Sequence, residues 1–182
     1  METGILKAEG SLRLFVLLLL LLTACLVRLD SQTKVILLSF QRKATYNDMK
    51  ALVIFVVVEF AAAGYHLLQL SKCIIFVSVG GKRTGSYTNL AWVSFLLDQM
   101  VTYISFGALT AATQASALAA TGQNNFEWTK LCDRYTRFCY QIGGAIFCGL
   151  LSVIIMAVIT SISALTLFRF YSWKHFLILK GR

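Results

Sequence analysis

No proline occurs anywhere in the 182 residues. Proline is the residue that most reliably kinks or ends a helix, and carriers with broken helices use Gly/Pro interruptions to expose backbone to ions or substrate. Helices in this chain are therefore continuous rods, which weighs against that class of carrier. Charge is scarce too. Only 14% of the residues are charged, against about 25% in a soluble globular protein. Catalytic patterns are missing: there is no GxSxG elbow, HExxH, CxxC or phosphate loop. The two histidines, His66 and His175, have no companions at metal-ligand spacing. The reading is of a protein that is not an enzyme, with no cofactor and no metal.

Apolar sequence fills the space. Hydrophobic residues make up 58% of the chain, and the mean hydropathy is +0.72. They gather in four stretches, residues 12–29, 51–79, 90–113 and 142–168. About 20 apolar residues cross ~30 Å of hydrocarbon as a helix. Lipid offers no partner to a bare backbone, so each stretch has to be helical. The fold class is all-α: one four-helix membrane bundle with little chain outside the bilayer.

The net charge of +9 does not indicate nucleic acid, because the basic residues are scattered through loops with no binding motif. A basic face toward anionic lipid headgroups explains it. With both termini cytoplasmic, nine basic residues lie inside: Lys7, Arg13, Lys72, Lys82, Arg83, Arg169, Lys174, Lys180 and Arg182. Seven lie outside: Lys34, Arg42, Lys43, Lys50, Lys130, Arg134 and Arg137, with Arg28 at a boundary. The positive-inside rule leans toward cytoplasmic ends.

Lys7, Arg13, the leucine run and Leu22-Thr23-Ala24-Cys25 have the form of a lipoprotein signal or an ordinary signal peptide. Arg28 and Asp30 follow within a few residues, as at the end of a helix, and the expectation is an uncleaved first span. Cys132 and Cys139 lie in the longest outer loop, where a disulfide is compatible with an oxidising exterior. Seven residues apart on one helix they stand about 10 Å apart along the axis, so a bridge requires the segment to bend. Cys25, Cys73 and Cys148 read as small buried hydrophobes.

Polar residues within the spans carry the most information. Asp98 lies about 10 Å into the third span, where an unpaired carboxylate costs about 3 kcal/mol. Arg13 enters from the same side at a similar depth, and its long stem extends its reach. An Arg13–Asp98 ion pair is expected; the alternative is that Arg13 snorkels to the headgroups and Asp98 is protonated. On the second span Glu59, Ala62, Ala63, His66 and Gln69 share one helical face. Arg28 stands near the depth of Glu59, so Arg28, Glu59 and His66 form a candidate intramembrane polar seam. As a functional alternative, Glu59 and His66 form a proton relay. Small-residue stripes follow on the third span (Asp98, Thr102, Ser105, Leu109, Ala112, Ser116) and the fourth (Ala145, Gly149, Ser152, Met156, Thr160, Ser163), marking faces for close helix packing. Gly80-Gly81-Lys82-Arg83 reads as a basic turn. The tail 169–182, with Phe170, Tyr171, Trp173 and Phe176 among basic residues, suits an amphipathic segment at the inner interface; the alternative is a plain extension of the fourth helix.

These residues carry a resemblance. Ser11-Leu12-Arg13-Leu14, Phe95-Leu96-Leu97-Asp98-Gln99 with the Ala/Ser-rich run 111–117, Tyr46-Asn47-Asp48, and the outer loop from Asn124 through Trp128, Cys132, Tyr135, Phe138 and Cys139 resemble the CASP-like family. Its members are relatives of the Casparian strip membrane domain proteins of plants and, more distantly, of the MARVEL tetraspans. The first outer loop lacks the signature of the strip-forming members, which favours the CASP-like branch. The resemblance implies a multi-pass plasma-membrane scaffold that associates with itself and with related family members. Its further partners would be membrane lipids and cell-wall-modifying enzymes. Arg13 and Asp98 would fix the bundle, Cys132 and Cys139 would pair, and Trp128, Tyr135 and Phe138 would make extracellular contacts. The rival class is transport: a small channel, a proton-coupled carrier or an auxiliary channel subunit. A channel or carrier needs Glu59, His66 and Asp98 to converge on a hydrated cavity.

Overall fold

The computed structural model describes residues 2–29, 31–37, 40–45, 49–78, 87–121 and 136–180. Four helices dominate: α1 (Glu2–Leu29), α2 (Lys50–Ser78), α3 (Tyr87–Thr121) and α4 (Thr136–Lys180). Between α1 and α2 lie two short strands, β1 (Ser31–Leu37) and β2 (Phe40–Thr45). Each helix contains a segment long and apolar enough to cross a bilayer: Ala8–Leu29, Lys50–Ile75, Ala91–Thr121 and Cys139–Phe168. The expected stretches 12–29, 51–79, 90–113 and 142–168 differ from these at their ends, and the helices run on past the apolar segments, most of all α1 at its start and α4 at its end.

The carbonyl of Met49 accepts from the amides of Leu52 at 3.0 Å and Val53 at 3.2 Å, which opens α2.

The helices pack in a ring: α1 on α2, α2 on α3, α3 on α4, and α4 back on α1. Consecutive helices are neighbours, so the bundle is up-and-down, and α1 and α3 stand diagonally across it.

The shared interior contains Val16, Leu20 and Val27 from α1, Leu52 and Phe55 from α2, Leu109 and Ala112 from α3, and Met156 and Ile159 from α4. Lipid tails are as apolar as these side chains, so tight packing and hydrogen bonds, not escape from water, hold such a bundle together. The clearest close approach is at Gly149. A Cβ there would lie 3.0 Å from Leu109 Cδ1 and 3.1 Å from Phe55 Cζ, so glycine lets α4 meet α2 and α3 together. Buried Thr23 and Ser152 turn their hydroxyls onto carbonyls of their own helices, Leu19 at 2.8 Å and Gly149 at 2.7 Å.

Two features depart from the sequence reading. The first is the antiparallel pair β1–β2, with Ser31 opposite Thr45 and an irregularity between Val35 and Leu37. Ser31-Gln-Thr-Lys-Val-Ile-Leu has the β-branched content of a strand, but its apolar end reads equally well as a loop edge. The second is the tail. Instead of a separate interfacial segment, the backbone continues in the same helix through Lys180.

Candidate functional site

Asp98 lies on α3, one helical turn beyond Ser94 and one before Thr102. Its carboxylate receives a two-pronged contact from Arg13 of α1: Nη1 donates to Oδ1 at 3.0 Å, and Nη2 donates to Oδ2 at 2.6 Å. A guanidinium fork matches a carboxylate edge in this way, adding geometric specificity to the charge attraction. Both side chains are buried, with relative exposures of 5% and 2%.

The pair is the centre of a larger network. One turn before Arg13, Glu9 accepts from its Nε at 3.1 Å and its Nη2 at 2.9 Å. From α2, the Tyr65 hydroxyl donates to Asp98 Oδ1 at 2.7 Å. Gln69, one turn along, donates from Nε2 to the Tyr65 hydroxyl and to Ser94 Oγ, the latter at 2.8 Å. On the far side the Thr102 hydroxyl lies 3.4 Å from that of Thr160 on α4. Asp98 therefore ties α1, α2 and α3 through its own oxygens, and the next turn of α3 reaches α4. At the opposite end of the bundle, Gln141 of α4 donates to the Leu26 carbonyl of α1 at 3.2 Å.

The polar face of the second span is buried throughout: Glu59, Ala62, Ala63, His66 and Gln69 all point inward. Arg28 does not join it. Its side chain is exposed, because it follows core-facing Val27 and the next helical position is rotated by about 100°. Arg28 therefore lies outside the candidate seam, which keeps Glu59 and His66. Both carboxylate oxygens of Glu59, both ring nitrogens of His66 and the Ser105 hydroxyl are buried with no hydrogen-bond partner among the described residues.

Register places Glu59 and Ser105 close in depth. Phe55 and Leu109 meet at Gly149, and Glu59 and Ser105 each lie one turn from them toward the Asp98 end. A groove of 260 Å³ lies between α3 and α4, lined by Phe95, Gln99, Thr102, Tyr103, Ala157, Thr160, Ser161 and Ala164. Glu59, His66 and Asp98 do not line it. Next to it, Trp92 of α3 stacks edge-on to Phe95 at 6.3 Å and to Phe168 of α4 at 6.5 Å.

Two members of the network escaped the sequence reading. Tyr65 sits one residue off the face that carries His66, so helical periodicity leaves it out. Glu9 precedes the apolar run, although acid four residues before base is a recognisable helical pair.

The outer-loop residues are placed only in part. Trp128, Cys132 and Tyr135 lie outside the described residues, as do Tyr46-Asn47-Asp48, the turn 80–83 and the side chain of Phe138. Cys25, Cys73 and Cys148 are free, Cys25 on an exposed surface and the other two half-buried; Cys139 is not among the free cysteines. Among the described residues no cluster of three or more His, Cys, Asp or Glu stands ready for a metal ion.

Comparison with known proteins agrees with this architecture. The Casparian strip membrane protein domain matches residues 2–155. A CASP-like protein 2C1 of Populus trichocarpa is 50% identical over 175 residues, covering 96% of each chain. The CASP-like protein 2C1 of Vitis vinifera is 49% identical over 96% of this chain and 85% of that one. The CASP-like protein XL3 of Gossypium hirsutum is 47% identical over 99% of both. No solved structure matches. A four-span membrane bundle latched by an intramembrane Arg–Asp pair, with matches that cover nearly the whole chain, belongs to the CASP-like family of Casparian strip membrane protein domains.

Proposed function

We propose that this chain is a non-enzymatic plasma-membrane scaffold, with both termini cytoplasmic, that associates with itself and with relatives to organise platforms for cell-wall-modifying partners. The observation that carries the reading is the closed Arg13–Asp98 latch. A carboxylate that works in transport has to meet water and change partners. Asp98 is instead held by a bidentate guanidinium and a tyrosine hydroxyl, each from a different helix. Three spans are locked against one another, which suits a rigid building block. A Cys132–Cys139 bridge would brace the outer loop that carries Trp128, Tyr135 and Phe138, and those aromatics would present a contact surface outside the cell. The exclusion of Cys139 from the free thiols supports the bridge.

The test is replacement of Asp98 by Leu in the full chain, followed by its delivery to the cell surface and its assembly. The scaffold reading expects both to fail. Normal surface assemblies with altered ion flux would overturn it.

One observation favours the transport class: Glu59 and His66 are ionisable, buried and unpartnered among the described residues. Ionisable groups in a span are functional candidates by default. Purified protein in liposomes should carry no proton or cation current above that of empty vesicles. A current abolished by Glu59→Gln would move the assignment to transport.

A further inference from the structure

The four spans differ in polarity. The span of α3 has a mean hydropathy of 1.2, against 2.4, 2.1 and 2.6 for α1, α2 and α4. Polar groups are costly against lipid, so the most polar span should be the most enclosed. It is the least enclosed. Of the most apolar 18-residue stretch of α3 only 28% is buried, against 33% for that of α1 and 39% for those of α2 and α4. One bundle on its own leaves its most polar helix facing hydrocarbon.

The groove between α3 and α4 is one place where polar groups of α3 are left open. On α3, Gln99 donates from Nε2 to the Tyr103 hydroxyl at 2.9 Å, and Tyr103 is 63% exposed. That bond uses one of the two amide hydrogens. The second amide hydrogen, the amide oxygen and the phenol proton make no further hydrogen bond among the described residues. On α4, Ala157, Ser161 and Ala164 follow at spacings of four and three, so they form one shallow face. Gln99 lies about 12 Å inward from the first residue of the α3 span, too deep for routine satisfaction by headgroups.

The occupant of such a groove has to bring donors and acceptors. A lipid tail brings neither. A second copy of the chain brings the same amide and the same phenol, each both donor and acceptor. Two copies related by a two-fold axis present one surface to itself, so its polar groups have to complement themselves. Gln99 and Tyr103 do. The small residues of α4 allow the incoming helix to approach closely.

We propose that two copies of this chain associate through the α3–α4 groove, with Gln99 and Tyr103 of each copy meeting the same residues of the other. The inference rests on the self-association reading above and assigns the surface that performs it. The test uses the full chain in lipid nanodiscs and detergent, with intact-complex mass spectrometry and dimer dissociation followed against protein concentration. The double variant Gln99→Leu/Tyr103→Phe should weaken the dimer at least tenfold, and the milder Tyr103→Phe should shift it in the same direction. Leu18→Ala, on the exposed side of α1, should leave it unchanged. With Cys25, Cys73 and Cys148 replaced by Ala, Ser161→Cys should cross-link between copies with a short bis-maleimide, a readout that does not depend on the folding of the leucine variant.

An assembly equally stable in wild type and both groove variants, with no cross-link at Ser161→Cys, overturns this surface while self-association stands. A wild type that is monomeric at every concentration overturns both readings. A lipid that co-purifies with wild type and is lost in Gln99→Leu, without change of subunit number, overturns the proposal in favour of a lipid site.

Discussion

Arg13 and Asp98 meet across the diagonal of the bundle: their helices, α1 and α3, pack mainly on α2 and α4, yet the two side chains make two hydrogen bonds at 3.0 and 2.6 Å. A contact between diagonal helices fixes more than one neighbour interface at a time. Sliding α1 along α2, or α3 along α4, would break it.

Removing Arg13 alone should cost far more than removing both members of the pair. Arg13→Leu leaves the Asp98 carboxylate buried without its cation, at about 3–5 kcal/mol, whereas Asp98→Leu leaves Arg13 paired with Glu9 alone and should cost less. The double variant Arg13→Leu/Asp98→Leu removes both charges and should recover most of that loss. Thermal melting of the detergent-solubilised protein checks this, and a double variant no better than Arg13→Leu would refute the latch. Tyr65→Phe, which removes one donor to a charged acceptor, should cost about 1.5–3 kcal/mol.

Glu59 should behave in the opposite way. It makes no hydrogen bond among the described residues that a substitution could break, and a buried polar group without a partner lowers stability. Glu59→Leu is expected to leave the melting temperature unchanged or raise it. A fall comparable to that of Asp98→Leu would mean that Glu59 has a partner in the folded protein.

Gly149→Val should loosen the bundle. The added carbons meet Leu109 and Phe55, already 3.0 and 3.1 Å from the nearest possible side-chain atom, and overpacking of this kind costs about 1–3 kcal/mol. Combining it with Phe55→Leu should restore part of the loss, measured by the same melting curve. Equal losses in single and double variants would mean that the strain lies elsewhere.

Thiol counting tests the outer bridge. The chain has five cysteines, and Cys25, Cys73 and Cys148 are free. Denatured without reductant, the protein should take up three maleimides; after reduction it should take up five. Five before reduction would rule out a Cys132–Cys139 disulfide.

The limits of sequence reading can be seen in single residues. Depth along a span follows from counting, and Arg13 and Asp98, at matching depths, meet in the structure. Direction around a helix is less forgiving. Arg28 matches Glu59 in depth, but its position turns it outward beside Val27. Tyr65 lies off the polar face by one residue, yet its ring is long enough to bring the hydroxyl back to Asp98. The stripes on α3 and α4 were readable because small and polar residues recur with the helical period. Their consequence at Gly149 was not, because which rings converge on a glycine depends on how three helices dock. The strands β1 and β2 were hidden by their brevity. The exposed polarity of α3 was present in the composition, but only the packing shows which side of the helix is left uncovered.

At 45 residues, α4 is one continuous helix, about 67 Å long at 1.5 Å per residue, roughly twice the depth of the oily layer. It is a stiff mast with no proline to act as a joint. A pull or tilt applied beyond Phe168 is carried along the same rod to Gln141, where it meets the far end of α1. The two ends of this helix therefore cannot tilt independently of each other.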